Sequence, residues 1–153
     1  MKIQWKLLIL NLAIPLAVGS LASLLTQNSM ETFKLMNQSA LTPPGWVFPV
    51  VWTILYLMMG TAAYLIVSSG QKNEIALLFY VLQLLFNFLW SLIFFNLRCY
   101  LFAFIWLILL WLLILNTTIR FFQISKIAGY FMLPYLVWVT FAGYLNYIVY
   151  LLN

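Results

Sequence analysis

The sequence predicts an all-α integral membrane protein, a five-transmembrane-helix up-and-down bundle. Three observations carry that prediction. Of 153 residues, 67% are hydrophobic and only 6% are charged, against the ~25% of an ordinary soluble domain, so a water-soluble globule could not cover its own core. The apolar residues fall into five runs, each at least as long as the ~20 residues that cross a bilayer. The connections between the last four runs are short, which sets successive helices antiparallel. Strands would leave unpaired edges in lipid, and the runs exceed the ~10 residues of a barrel strand, so helices are the economical solution. Residues 1–153 therefore read as a single membrane domain with no separate soluble part.

The first run, residues 7–27, follows Lys2 and Lys6 and contains Pro15, Gly19 and Ser20. A basic start, an apolar stretch and small residues such as Ala22-Ser23 also mark a signal peptide. The run is long for that role and the rest of the chain is itself membrane, so a retained span is expected. Residues 28–45 read as the only long loop. Asn28 and Glu31 are spaced like a helix N-cap and its N3 acid, and Thr42-Pro43-Pro44-Gly45 is a rigid turn, so a short surface helix ending in that turn is expected. The remaining spans are 46–69, 75–97, 99–121 and 127–152. Gly70-Gln71-Lys72-Asn73-Glu74, the turn around Arg98 and Gln123-Ile124-Ser125-Lys126 connect them, each short enough to make the flanking helices antiparallel neighbours. With the N-terminus inside, Lys2, Lys6, Lys72, Arg120 and Lys126 are cytoplasmic and Lys34 and Arg98 lie outside, five against two. A multi-pass protein of the cell membrane follows, with a cytoplasmic N-terminus and the 28–45 loop on the outer face.

The ionisable inventory narrows the chemistry. There is no histidine, and the only acids are Glu31 and Glu74, which excludes histidine-ligated metal, Ser-His-Asp catalysis and histidine proton relays. The single cysteine, Cys99, excludes an internal disulfide and a Cys-rich metal site. No Asp, Glu, Lys or Arg lies in the middle of a span, which weighs against ion-coupled carriers and against hydrolysis by a positioned acid–base pair. No catalytic residue, metal ligand or required cofactor is expected. The net charge of +5 is scattered singly between apolar runs, as in topology-setting loops, and nucleic acid is not an expected partner.

What remains are polar and aromatic groups at membrane depth, costly there unless they face the bundle interior or a ligand. Gln83, Asn87, Trp90 and Ser91 follow at i, i+4, i+7 and i+8 and share one helix face. Such amides serve equally as interhelical hydrogen-bonding groups or as ligand contacts. Of seven tryptophans, Trp5 and Trp46 suit an interfacial belt, whereas Trp90, Trp106, Trp111 and Trp138 lie well inside their spans. Pro134, Trp138, Ala142 and Asn146 recur every four residues, as do Trp52, Tyr56, Gly60 and Tyr64. Both rows set aromatic faces beside small residues, an arrangement suited to plain helix packing or to the walls of a flat apolar pocket.

Three ordered motifs resemble the translocator proteins, also called tryptophan-rich sensory proteins or peripheral benzodiazepine receptors. They are Pro43-Pro44-Gly45-Trp46-Val47-Phe48-Pro49-Val50-Val51-Trp52 continuing to Tyr56 and Gly60, Gln83 to Phe95 with its Gln, Asn, Trp and paired Phe94-Phe95, and Leu133-Pro134-Tyr135-Leu136-Val137-Trp138 followed by Phe141-Ala142 and Leu145-Asn146-Tyr147. The resemblance implies a five-helix bundle, often a homodimer, with an interior pocket for flat apolar ligands such as protoporphyrin IX, haem and synthetic isoquinoline carboxamides. By the same resemblance Trp52 and Trp138 are pocket tryptophans, Gln83 and Asn87 a polar wall with Trp90 beside it, Ala142 the small residue that leaves room, and the 28–45 loop a lid. It implies a tetrapyrrole-binding receptor or stress-related sensor without side-chain catalysis; light-dependent porphyrin degradation and passive translocation are the alternatives.

The departures also carry information. An acid that many members have early in the fourth helix is here approximately Trp106. The sterol-associated pattern lacks its Lys or Arg after Leu145-Asn146-Tyr147, so sterol binding is not expected. Gln38-Ser39 stands where the family commonly has a proline pair or Lys-Pro.

Overall fold

The computed structural model describes residues 2–153. Five helices account for most of them: α1 (Trp5–Lys34), α2 (Val47–Val67), α3 (Glu74–Ser91), α4 (Tyr100–Ile124) and α5 (Lys126–Leu152). Each, with α3 taken on through the turn to Asn96, is long and apolar enough to cross a membrane. The outward faces carry the bulk of the exposed aliphatic residues, among them Val81 and Leu85 on α3, Ile105 and Leu112 on α4 and Val137 on α5, as a lipid-facing surface requires.

The helices alternate in direction. Around the bundle their order is α1, α2, α5, α4, α3, closing back on α1. Consecutive α2 and α3 are antiparallel, as the short connection demands, but they are not the close-packed neighbours the sequence suggested: α2 lies against α1 and α5. The connection, turning at Gly70 with φ of 72°, is wide enough for large interior side chains to stand between the two helices. The polar centre of the bundle occupies that separation.

Elsewhere the seams are tight. On α2, a Cβ at Gly60 would sit 2.6 Å from the Asn11 carbonyl oxygen and 2.8 Å from Leu12 Cα, and the ring of Tyr56 lies directly on Gly19. Glycine at those two positions lets α1 and α2 approach as small-residue interfaces do in lipid.

Two local features depart from the sequence reading. The predicted separate helix after Asn28 does not exist: α1 runs unbroken to Lys34, and Glu31 pairs with Lys34 at 3.2 Å within it. No glycine or proline lies between residues 20 and 34, so the polar residues from Asn28 on record an exit from the bilayer rather than a new start. At 1.5 Å per residue the helix is about 45 Å long, well beyond a ~30 Å hydrocarbon core. The loop is correspondingly 35–46. The second feature is a π-helical turn at Leu92–Asn96 that ends α3. It presents Asn96 to α1, where its amide donates to Leu25 O at 3.0 Å and its carbonyl accepts from Ser29 Oγ at 2.7 Å.

Candidate ligand site

The interior between α2, α3 and α5 holds a chain of buried polar groups at mid-membrane. Gln83, Asn87 and Tyr135 are 0%, 1% and 0% exposed. The Tyr135 hydroxyl donates to Gln83 Oε1 at 2.8 Å and accepts from Asn87 Nδ2 at 2.7 Å. The outer valences are weakly used: Gln83 Nε2 meets only Met59 Sδ at 3.8 Å, and Asn87 Oδ1 meets Tyr56 Oη at 3.5 Å.

Aromatic rings form a wall beside this centre. Trp52 stacks on Tyr56 with centroids 5.6 Å apart, and meets Tyr135 edge-on at 6.1 Å. One turn nearer the loop, Phe48 meets Trp138 edge-on at 6.0 Å. These contacts follow from four-residue spacing on α2 and three-residue spacing on α5, which set Phe48/Trp52 and Tyr135/Trp138 on facing stripes. Trp138 Nε1 is buried and has no hydrogen-bond partner among the described residues. An indole N–H in an apolar interior normally has one.

Of the six residues singled out by sequence, Trp52, Trp138, Gln83 and Asn87 converge on this region. Trp90 belongs to a second cluster nearer the loop: its Nε1 donates to Asn146 Oδ1 at 3.1 Å, and Asn146 Nδ2 donates to Tyr100 O at 2.9 Å. Ala142 is buried one turn beyond Trp138. The four-residue row on α5 therefore rotates from Pro134, exposed to lipid, to Ala142 and Asn146 in the core, the drift expected when a spacing of four meets a period of 3.6. Tyr135 is the central residue that sequence reading passed over. In the sequence it stands only as part of the Leu133–Trp138 motif, although a hydroxyl at that depth needs partners.

The loop 35–46 covers this end of the bundle and is tied to α5. Asn37 Nδ2 donates to Leu152 O at 3.5 Å, Asn153 Nδ2 to Asn37 O at 2.9 Å, and the Ser39 and Tyr144 hydroxyls lie 3.1 Å apart. A surface groove of about 540 Å³ lies nearby, lined by Arg98, Leu101, Phe102 and Tyr150 among others. None of the six residues borders it.

The profile of the TspO/MBR family matches residues 11–151. The chain belongs to the TspO/MBR family. It is 37% identical over 150 residues to the tryptophan-rich protein TspO of Chlorobaculum tepidum, covering 95% of each chain. It is 36% identical over 147 residues to the tryptophan-rich sensory protein of Cereibacter sphaeroides, covering 96% of this chain and 91% of that one. Against the translocator protein of Homo sapiens identity is 36% over 111 residues, 70% of this chain and 66% of the relative. With five apolar helices, this TspO/MBR member is a multi-pass membrane protein.

Proposed function

We propose that this protein is a tetrapyrrole-binding membrane receptor or sensor that takes protoporphyrin IX or haem between the aromatic stripes of α2 and α5. The observation that carries the reading is the buried, partnerless Trp138 N–H standing at the end of a Phe48, Trp52, Tyr135 wall. Flat aromatic walls with a few convergent polar groups suit a planar apolar ligand with polar points on it. Entry parts Phe48 from Trp138, and the loop 35–46 acts as the lid, released by breaking its ties to α5. The name of the Cereibacter sphaeroides relative, a sensory protein, favours sensing. The protein lies in the cell membrane with its N-terminus in the cytoplasm, because Lys2, Lys6, Lys72, Arg120 and Lys126 share one end of the bundle. It works as a homodimer and needs no further cofactor.

The test is a titration of purified protein in detergent with protoporphyrin IX in the dark, followed by quenching of tryptophan fluorescence. Saturable quenching is expected, weakened in Trp52→Phe, Trp138→Phe and Asn87→Leu. Parental affinity in all three variants would sink the site. The same titration repeated under light, with product analysis, separates binding from photochemical degradation.

A further inference from the structure

Arg120 stands further inside a span than any other basic residue described, and its side chain runs the wrong way for one that only marks topology. It lies four residues from the last residue of α4. Centred on a ~30 Å hydrocarbon core, a 25-residue helix of about 37 Å leaves about 4 Å at each end, so the Arg120 Cα sits near the edge of the apolar layer. An arginine there ordinarily extends its head to water. Arg120 turns back instead. Its Nε donates to Asn116 Oδ1 at 2.7 Å, one helical turn deeper, and its guanidinium carbon stands 4.9 Å from the centroid of the Phe79 ring on α3. Side chains on a helix lean toward its N-terminus, which on α4 is away from the near surface, and the Asn116 amide fixes that direction.

What the guanidinium lacks is an anion. Its Nη1 and Nη2 have no hydrogen-bond partner among the described residues, and neither is buried. The one ion pair among the described residues, Glu31–Lys34, is at the other end of the bundle. Behind Phe79 and Arg120 the seam is closed, because Tyr80 stacks on Phe121 with centroids 5.8 Å apart. The open donors therefore face lipid and not the bundle interior. Deeper along the same α3–α4 seam the Phe86 and Trp106 rings stack at 4.4 Å, an apolar strip that an acyl chain can cover. Five basic residues, Lys2, Lys6, Lys72, Arg120 and Lys126, stand at this end against one acid, Glu74.

We infer that Arg120, held by Asn116 and Phe79, is a binding site for the phosphate of an anionic phospholipid in the leaflet at that end, its acyl chains lying along the α3–α4 seam. A guanidinium presents paired N–H groups that match two phosphate oxygens, and spending Nε on Asn116 leaves the Nη pair for them. The ring beneath and the amide beside it restrict the arginine before the lipid arrives, so less freedom is lost on binding. The surplus of basic residues at this end favours a headgroup that brings net negative charge over one that carries its own cation. The site is separate from the aromatic wall of α2 and α5 and does not depend on what that wall binds.

The test is a titration of the purified full chain in detergent with phosphatidylglycerol or phosphatidylcholine of identical acyl chains, each bound lipid counted by native mass spectrometry. In about 0.15 M ammonium acetate, exposed charges more than ~8 Å away are largely screened. A basic residue near an anionic headgroup is worth about fivefold in affinity, and the paired phosphate contact adds to that. The first phosphatidylglycerol should therefore bind roughly tenfold tighter than phosphatidylcholine. Arg120→Gln should bring that ratio to about two or less. Arg120→Lys keeps the charge but loses the fork and the Asn116 bond, and should fall between, at about three- to fivefold; it carries the test alone if Arg120→Gln does not fold. Lys126→Gln removes the same charge from the same end, on α5, and should stay within about twofold of the parent.

A ratio near one in the parent overturns the inference, since nothing is then selected. So does a parental ratio in Arg120→Lys, or a loss in Lys126→Gln equal to that in Arg120→Gln, because either leaves net charge as the whole effect. Glycerol phosphate binding as tightly as phosphatidylglycerol overturns it as well, since the site would then take a free phosphate ester and not a lipid.

Discussion

Four tryptophans lie inside the spans beyond the rim residue Trp52, and they divide by the fate of one N–H. Trp90 donates to Asn146, joining α3 to α5. Trp106 donates to Phe86 O at 2.9 Å and stacks on the Phe86 ring at 4.4 Å, joining α4 to α3. Trp111 donates to Thr140 Oγ1 at 2.8 Å, joining α4 to α5. Trp138, on the α2–α5 side, donates to nothing among the described residues. In lipid no water is at hand to satisfy such a group, so a paired indole fastens helices, whereas the unpaired Trp138 N–H fastens nothing. All four are the same residue type within a span, and the partner of the indole N–H is what separates Trp138 from the other three.

The largest effect expected from this contrast is at Trp90. Replacing it with Phe keeps most of the ring stacking on Phe94, at 5.3 Å, but leaves Asn146 Oδ1 buried without its donor. The cost of an unsatisfied buried group is about 1–3 kcal/mol, read as a lowered thermal midpoint in detergent. Porphyrin affinity of the folded fraction should stay within about twofold, since less than ~0.4 kcal/mol would be lost from binding. A tenfold loss of affinity at unchanged stability would move Trp90 into the ligand site and break the contrast.

Trp138→Phe should behave in the opposite way. Deleting an N–H that has no partner removes a desolvated polar group, so stability should hold or rise slightly. Phe keeps most of the stacking, so the loss is that of a ligand hydrogen bond, ~0.5–1.5 kcal/mol, a weakening of roughly two- to tenfold in porphyrin affinity. Loss of stability with affinity intact would show that Trp138 is another fastening residue.

The sequence made the helices and the inward placement of most candidate-site residues legible, for physical reasons that also explain what it hid. Apolar runs of bilayer length have one economical fold, so the spans were readable to within a few residues. The extension of α1 through Asn28–Lys34 was not, because polar residues past the membrane surface look like a loop unless one asks what would break the helix. The short link Gly70–Glu74 bounds how far α2 and α3 can separate along the membrane face, but it does not say which helix fills the side of each, and α5 takes the place beside α2. The face of Gln83, Asn87 and Trp90 was readable from spacing alone. Their partners were not, since Tyr135 and Asn146 come from a helix about fifty residues away and only packing brings them across.

The smallest expected effect sharpens the contrast at its weakest point, Trp111. Its hydrogen bond to Thr140 lies on the outer side of the α4–α5 seam, where both residues border lipid. In water an exposed bond of this kind would contribute little. In a bilayer the released N–H and hydroxyl have no solvent to turn to, although Thr140 retains an alternative, because its hydroxyl already donates to Leu136 O at 2.9 Å. That second bond caps the loss: without Trp111 the threonine keeps its donor satisfied and gives up only an acceptor role. Interhelical hydrogen bonds in membrane proteins average about 0.6 kcal/mol by double-mutant cycles, and the coupling between Trp111→Phe and Thr140→Val should be of that order. Neither substitution should alter porphyrin binding, because α4 does not touch the Phe48, Trp52, Tyr135 and Trp138 wall through these residues. A coupling near zero would mean that the indole is held by packing alone. A coupled loss of porphyrin affinity would mean that the α4–α5 seam, and not only the α2–α5 face, shapes the site.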